Sequence, residues 1–195
     1  MNKIMKMIRP LILLVFLSYP LLGVGEAGAI FLLIAPGAAA QGTGEANVAA
    51  VQDAYSSYYN PASLAFQEKT SYGLMHVNWL KSLVPDLYYE YLGFSMPYGD
   101  IGGIGGHFIF LSLGEQIATD ELGAYIGEFS SYMAACDVSF GTKLTNNSAL
   151  GLGFKIFHQK LSEQAYSDGD GGVGGEEGKP FSTDFAFDIS YLYKQ

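Results

Sequence analysis

Beyond residue 70 the chain alternates apolar and polar side chains with a period of two, the pattern of strands that turn one face to an apolar phase and the other to polar groups. The clearest stretch is residues 132–144. There Tyr132, Ala134, Cys136, Val138, Phe140 and Leu144 fall on one face, and Ala135, Asp137, Ser139, Gly141 and Lys143 on the other. In the next stretch Leu150, Leu152, Phe154 and Ile156 oppose Gly151, Gly153 and Lys155. In the last, Phe185, Phe187, Ile189, Tyr191 and Tyr193 oppose Asp184, Asp188, Ser190 and Lys194. Residues 70–79, 87–96 and 101–113 alternate less regularly and predict three further strands, six in all.

The connections alternate in length. Pro97-Tyr98-Gly99-Asp100 and Thr145-Asn146-Asn147-Ser148 predict tight turns, whereas residues 80–86, 114–128 and 162–183 predict longer loops. Strands of about ten residues, with short turns on one side and long loops on the other, are the rhythm of an outer-membrane barrel whose short turns face the periplasm. A soluble β-sandwich alternates in the same way. Trp79, Tyr88, Tyr89, Tyr91, Tyr191 and Tyr193 near strand ends favour the membrane, as does the start of the chain. Residues 1–29 have the three parts of a secretory signal: Lys3, Lys6 and Arg9, then an apolar run over residues 11–24, then small residues with cleavage expected after Ala27 or Ala29. A third point, after Ala40, ranks last because it would remove half of the motif described next. The other reading of this segment is an uncleaved membrane helix over residues 11–34. Pro20, Gly23, Gly25 and Glu26 make that helix costly. Past Pro36 no apolar run approaches the ~20 residues of a spanning helix, so membrane entry is expected through strands.

Between signal and strands lies FLLIAPGAAAQGTGEANVAAVQDAYSSYYNPASLAF, residues 31–66. Its Pro36-Gly37 and Gly42-Thr43-Gly44 break any long helix, and Asn60-Pro61-Ala62 sets an extended or turn conformation at Asn60. The segment reads as a plug packed inside something larger. Pro36, Gly37, Gly42, Gly44, Asp53, Asn60, Pro61 and Ala62, followed by Leu64 and Phe66, resemble the N-terminal segment of the PorV/PorQ family within the FadL-like outer-membrane β-barrels. The chain departs from that pattern at Ala39, Thr43 and Glu45, so no role of the arginine usual at the first of these carries over. GEFSSYMAACDVSFGTKLTNNSALGLGFKIF and FAFDISYLYK resemble consecutive barrel strands of the same family.

The resemblance implies an all-β fold, the N-terminal part of an antiparallel transmembrane β-barrel with an N-terminal plug. The organisation is then a signal over 1–29, a plug over 30–69 and about six membrane strands over 70–195. Single-chain barrels begin at about eight strands, so the sequence is expected to hold the plug and under half of a wall. The resemblance further implies an outer-membrane location in a diderm bacterium. It implies either of two non-enzymatic roles: binding of exported cargo in type IX secretion, with residues 114–128 and 162–183 as working loops, or FadL-like transport of fatty acids or other hydrophobic compounds.

Composition narrows the partners. Among 195 residues there are 25 Gly, 14 Tyr and 13 Phe, which suits short strands with aromatic rims and not a helical bundle. The net charge is −9 and Arg9 is the only arginine, against nucleic acid or anionic headgroups as partners. Cys136 is alone, so no internal disulfide forms. His76, His107 and His158 lie in separate strands without metal or triad spacing, and no catalytic residue, metal or cofactor is expected. The run Gly102-Gly103-Ile104-Gly105-Gly106 lacks a phosphate-loop lysine and reads as close packing of plug against wall. Asp168-Gly169-Asp170-Gly171-Gly172 begins like a calcium loop, but Val173 and Lys179 break the pattern, which leaves a looser acidic loop with Glu176 and Glu177 or a plain surface loop. On the polar strand faces Asp137, Lys143, Lys155, Asp184 and Asp188 would line the lumen, pairing with one another or with the plug. A ligand carboxylate on Lys143 or Lys155 is the sharper alternative.

Overall fold

A computed structural model of the chain describes residues 29–82, 86–119, 122–161 and 181–194. Internal contacts divide the chain into Met1–Ile30 and Phe31–Gln195. The signal-like segment, apart from Ala29, lies outside the described residues, as does the acidic stretch around Asp168.

Six antiparallel strands form one sheet in sequence order: β1 Ser71–Asn78, β2 Leu87–Tyr98, β3 Gly102–Thr119, β4 Tyr125–Lys143, β5 Ser148–Lys160 and β6 Phe181–Tyr193. Each strand hydrogen-bonds its sequence neighbour, the simplest topology for hairpin-connected chains. The fold is all-β, and no helix of the described residues is long and apolar enough to cross a membrane. Both expected tight turns form, the first one two residues later than the sequence placed it. Gly99, at φ 55°, turns β2 into β3 after Pro97 and Tyr98, which themselves pair with Gly103 and Gly102. The β4–β5 turn is closed by Leu144 N–H donating to the Ser148 carbonyl at 2.8 Å.

The expected long loop over residues 114–128 is instead mostly strand. β3 and β4 run on past their neighbours, pairing Glu115 with Ser130 through Thr119 with Tyr125. The alternation that marks this stretch as strand is broken at Ser112/Glu115, where β3 carries one extra residue and Gly114 sits at φ 76°. A one-residue bulge reverses the phase of the alternation, which hides a continuous strand from a period-two reading.

Continuous register aligns side chains in lateral lines across the sheet. The N-terminal residues 31–67 pack against one face as a 3₁₀ turn (Ile30–Leu33), short helices (Ala38–Gly42 and Ser56–Tyr59) and a second 3₁₀ turn (Pro61–Phe66). Asp53 shapes the turn before the helix Ser56–Tyr59: Tyr55 N–H donates to Asp53 Oδ1 at 2.9 Å and Asp53 N–H donates to Ser56 Oγ at 3.2 Å. Asn60 is extended at φ −162°, and its Oδ1 accepts from Ala62 N–H at 3.0 Å. Ala62 and Ala65 form a small apolar core with Ala149 and Leu192, covered by Phe66.

Candidate functional site

The contact between the N-terminal segment and the sheet is built on small residues. Gly103, Gly141 and Gly151 are register partners on β3, β4 and β5. A Cβ at Gly103 would overlap the Leu64 carbonyl, at Gly141 the Pro61 carbonyl, and at Gly151 the Pro61–Ala62 peptide. Backbone therefore rests on backbone, the close approach that only glycine permits. One strand further on, Ala62 N–H donates to Ser190 Oγ of β6 at 2.9 Å. Gly105 adds to the seat, since its Cβ would fall 2.8 Å from Leu64 Cδ2.

Above the glycines one lateral line, Gly73, Gly93, His107, Asp137, Lys155 and Ala186, carries three ionisable side chains in succession on β3, β4 and β5. The His107 and Asp137 side chains are 0 % exposed, with Nδ1 and Oδ1 3.5 Å apart. Ser57 Oγ of the N-terminal segment shares a 2.9 Å hydrogen bond with the same Nδ1. Ser139 Oγ donates to Asp137 Oδ1 at 2.7 Å, and Lys155 Nζ lies 3.3 Å from Asp188 Oδ2. Tyr91 stacks on the His107 ring at 5.6 Å and Tyr58 meets it edge-on at 5.7 Å. In a Ser-His-Asp relay serine and carboxylate bind opposite ring nitrogens. Here both address Nδ1, and Nε2 has no partner among the described residues. The arrangement joins segment to wall and is not set up to activate the serine.

Tyrosine hydroxyls complete the joint by satisfying carbonyls of a segment too short to do so in helices. Tyr58 donates to Leu32 O at 2.8 Å and Tyr59 to Pro36 O at 2.7 Å. Tyr89 and Tyr91 of β2 donate to Ile34 O at 3.1 Å and Ala54 O at 3.0 Å. These two tyrosines were expected on the membrane rim. Alternation places them on the face opposite Tyr88, where the segment offers acceptors.

The remaining motif residues do separate work. Pro36 is buried, and Gly37 at φ 98° points its N–H at Met75 Sδ, 3.1 Å away. Gly42 and Gly44 are exposed, with open space where a Cβ would stand. Asn60 Nδ2 donates to Val48 O at 3.0 Å, tying the turn to the upstream loop. Of the five charges assigned to the lumen, Lys155 pairs with Asp188, and Asp137 sits beside them. Lys143 lies elsewhere, 5.4 Å from the Phe66 ring centroid and joined there by Lys194 at 4.4 Å. Asp184 is exposed and has no partner among the described residues. No group of three metal-ligating side chains occurs among those residues. Ser139 and Ser190 stand on the polar strand faces as their alternation implied, whereas Ser57 gave no sequence signal and neither did His107, since β3 is apolar on both faces around it, with Phe108 and Phe110 on one and Ile109 and Leu111 on the other.

The opposite face of the sheet is apolar in successive lines. Leu74, Leu92, Phe108, Cys136, Ile156 and Phe185 form one, and Met96, Ile104, Phe140, Leu152 and Ile189 another. Between strands it forms an open groove of about 470 Å³ lined by residues such as Val138, Leu152 and Phe154. A row of rings bounds the band at its long-loop end: His76, Tyr88, Phe110, Tyr132, His158 and Phe181 follow one another at 5.7 to 6.0 Å. Tyr98 and Tyr191 stand at the other end, both more than half exposed. From Tyr98 to Tyr88 the strand advances roughly 33 Å at about 3.3 Å per residue, and about 25 Å at the usual tilt, the height of a barrel's lipid-facing band.

Against known proteins, a family model described as type IX secretion system protein PorV matches residues 24–195. A search of curated proteins gave no match. The matched span takes in the seated segment, the glycine column and all six strands, and by that span the chain belongs to the PorV family of type IX secretion system proteins.

Proposed function

We propose that the protein serves type IX secretion from the outer membrane as a non-catalytic binding component that receives exported cargo on its long-loop side. The family match over residues 24–195 carries this reading. The two-faced sheet supports it: an apolar band for lipid outside, and inside a run of ionisable side chains closed by a seated segment. In this role residues 1–29 direct export and are removed, and residues 30–69 plug the interior. The His107 joint and the glycine column would hold the plug while cargo engages outside the membrane.

Affinity capture tests the reading. Tagged protein, extracted in mild detergent from the native outer-membrane fraction, should bring down secreted proteins that share a C-terminal domain. Recovery of fatty acid on organic extraction, without captured protein, would replace it with transport of hydrophobic compounds.

A further inference from the structure

Where β3 and β4 outrun their neighbours they form a two-stranded ribbon, residues 114–119 with 125–131, beyond the aromatic row. β2 pairs with β3 only as far as Leu87 with Leu113. Among the described residues, positions 115–119 of β3 therefore pair on the β4 side alone. An unpaired strand edge is a template for another strand, and proteins blunt such edges with proline, charged side chains, bulges or a covering element; here the bulges stand at the two ends of the stretch and the one charge is Glu115. Glu115-Gln116-Ile117-Ala118-Thr119 has no proline and no lysine. A two-stranded ribbon in water is marginal by itself, and a third strand stabilises it.

Charge says which strand. After the bulge, Glu115, Ile117, Glu128 and Ser130 share the face turned away from the N-terminal segment, with Ile117 directly across from Glu128. Glu115 and Glu128 are exposed, and Ile117 is 67 % exposed between them. From residue 82 to residue 142 the chain has no lysine or arginine, so the ribbon itself carries acidic side chains and no lysine or arginine. We propose that the β3 edge of the ribbon, unpaired among the described residues, binds an extended, lysine- or arginine-bearing segment of the exported protein as an added strand. Main-chain hydrogen bonds supply the affinity, and basic side chains over Glu115 and Glu128 select the partner. The inference rests on the cargo-binding reading and specifies its chemistry.

The test uses the full chain in detergent micelles and a fluorescent peptide of alternating lysine and valine. The peptide should bind in a salt-sensitive way. Methylation of its alternate backbone nitrogens and the substitution Ile117→Pro should each weaken binding by about tenfold or more, a loss of at least ~1.4 kcal/mol. Glu115→Lys combined with Glu128→Lys, which leaves the backbone edge intact, should weaken binding and remove its salt sensitivity. Equal binding of the methylated peptide, or no binding at all, overturns the proposal. Capture of secreted proteins separates the two levels: capture unchanged in Ile117→Pro defeats the ribbon and leaves cargo binding standing, whereas no capture by the unsubstituted protein defeats cargo binding itself.

Discussion

Ser57 Oγ and His107 Nδ1 share a 2.9 Å hydrogen bond across 50 residues of sequence, joining the helix Ser56–Tyr59 to the middle of β3. Both side chains are buried, so removing the hydroxyl leaves Nδ1 with only the more distant Asp137 Oδ1, 3.5 Å away, and no access to water. Ser57→Ala is expected to cost about 1–3 kcal/mol. Chymotrypsin should then cut faster at Tyr55, Tyr58 and Tyr59 while the strand content seen by circular dichroism stays the same. Unchanged cleavage would mean that the bond does not hold the segment.

The glycine column makes a sharper contrast. Gly151→Ala forces a methyl group into the Pro61–Ala62 peptide, whereas Gly42→Ala places one in open space. Overpacking typically costs about 1–3 kcal/mol, and here backbone is the obstacle, so the upper end applies. The first substitution should unseat residues 60–66 and the second should be silent, as read by protease accessibility of the segment.

Lys155 should matter more than its ion pair suggests. The pair with Asp188 is partly open, at 12 % and 40 % side-chain exposure, and such pairs contribute under about 1 kcal/mol. Lys155 is also the direct cross-strand partner of the buried Asp137. Lys155→Met removes the cross-strand cation from that carboxylate, and the loss should exceed the ~1 kcal/mol of an exposed pair. Adding Asp137→Asn should restore much of it, a non-additivity measurable by urea unfolding in liposomes.

The outward band predicts a depth profile. Leu152→Arg, in the middle of the band, should cost about 2–4 kcal/mol in liposomes, and Glu128→Arg, on the projecting ribbon, about 0–1 kcal/mol. Equal costs at both sites would refute the assigned membrane position.

Alkali should release the segment. Burial, with Glu45, Tyr55 and Asp53 adding to it, pushes the Tyr59 hydroxyl up to about 12, and burial raises Tyr58 as well. A folded-state value above the ordinary 10 means that the protonated form is favoured by folding. Its contribution is full below pH 10 and is lost as pH rises toward 12. Tyrosinate absorbance and protease cleavage of the segment should therefore rise together over that window. Tyr59→Phe should shift the window.

Much of the wall was legible in the sequence because period-two alternation survives wherever one face meets an apolar phase. Residues 132–144 and 150–156 were placed with the correct faces for that reason. The method failed at Gly114, where one extra residue reversed the phase and made a ribbon look like a loop. It also failed at Tyr89 and Tyr91, because proximity to a strand end says nothing about which face a ring occupies. The role of the glycine run in close packing was readable, since a phosphate loop needs a lysine that is absent. The Ser57–His107 joint was not, because it depends on register between a helix and a strand that only the assembled sheet fixes.

The Pro61–Phe66 turn rests on β3, β4 and β5 and reaches β6 through Ser190, 128 residues from its partner Ala62. Among the described elements, the turn precedes every strand in sequence yet finds its complete resting place only after β6 has paired. Such distant contacts form late, because long stretches of chain must be drawn together first. During assembly the segment must therefore travel unattached until the sheet beneath it is built. Its docking follows the pairing of β3 to β6, a slow step that a refolding experiment would see as burial of Tyr58 and Tyr59 lagging behind formation of these strands.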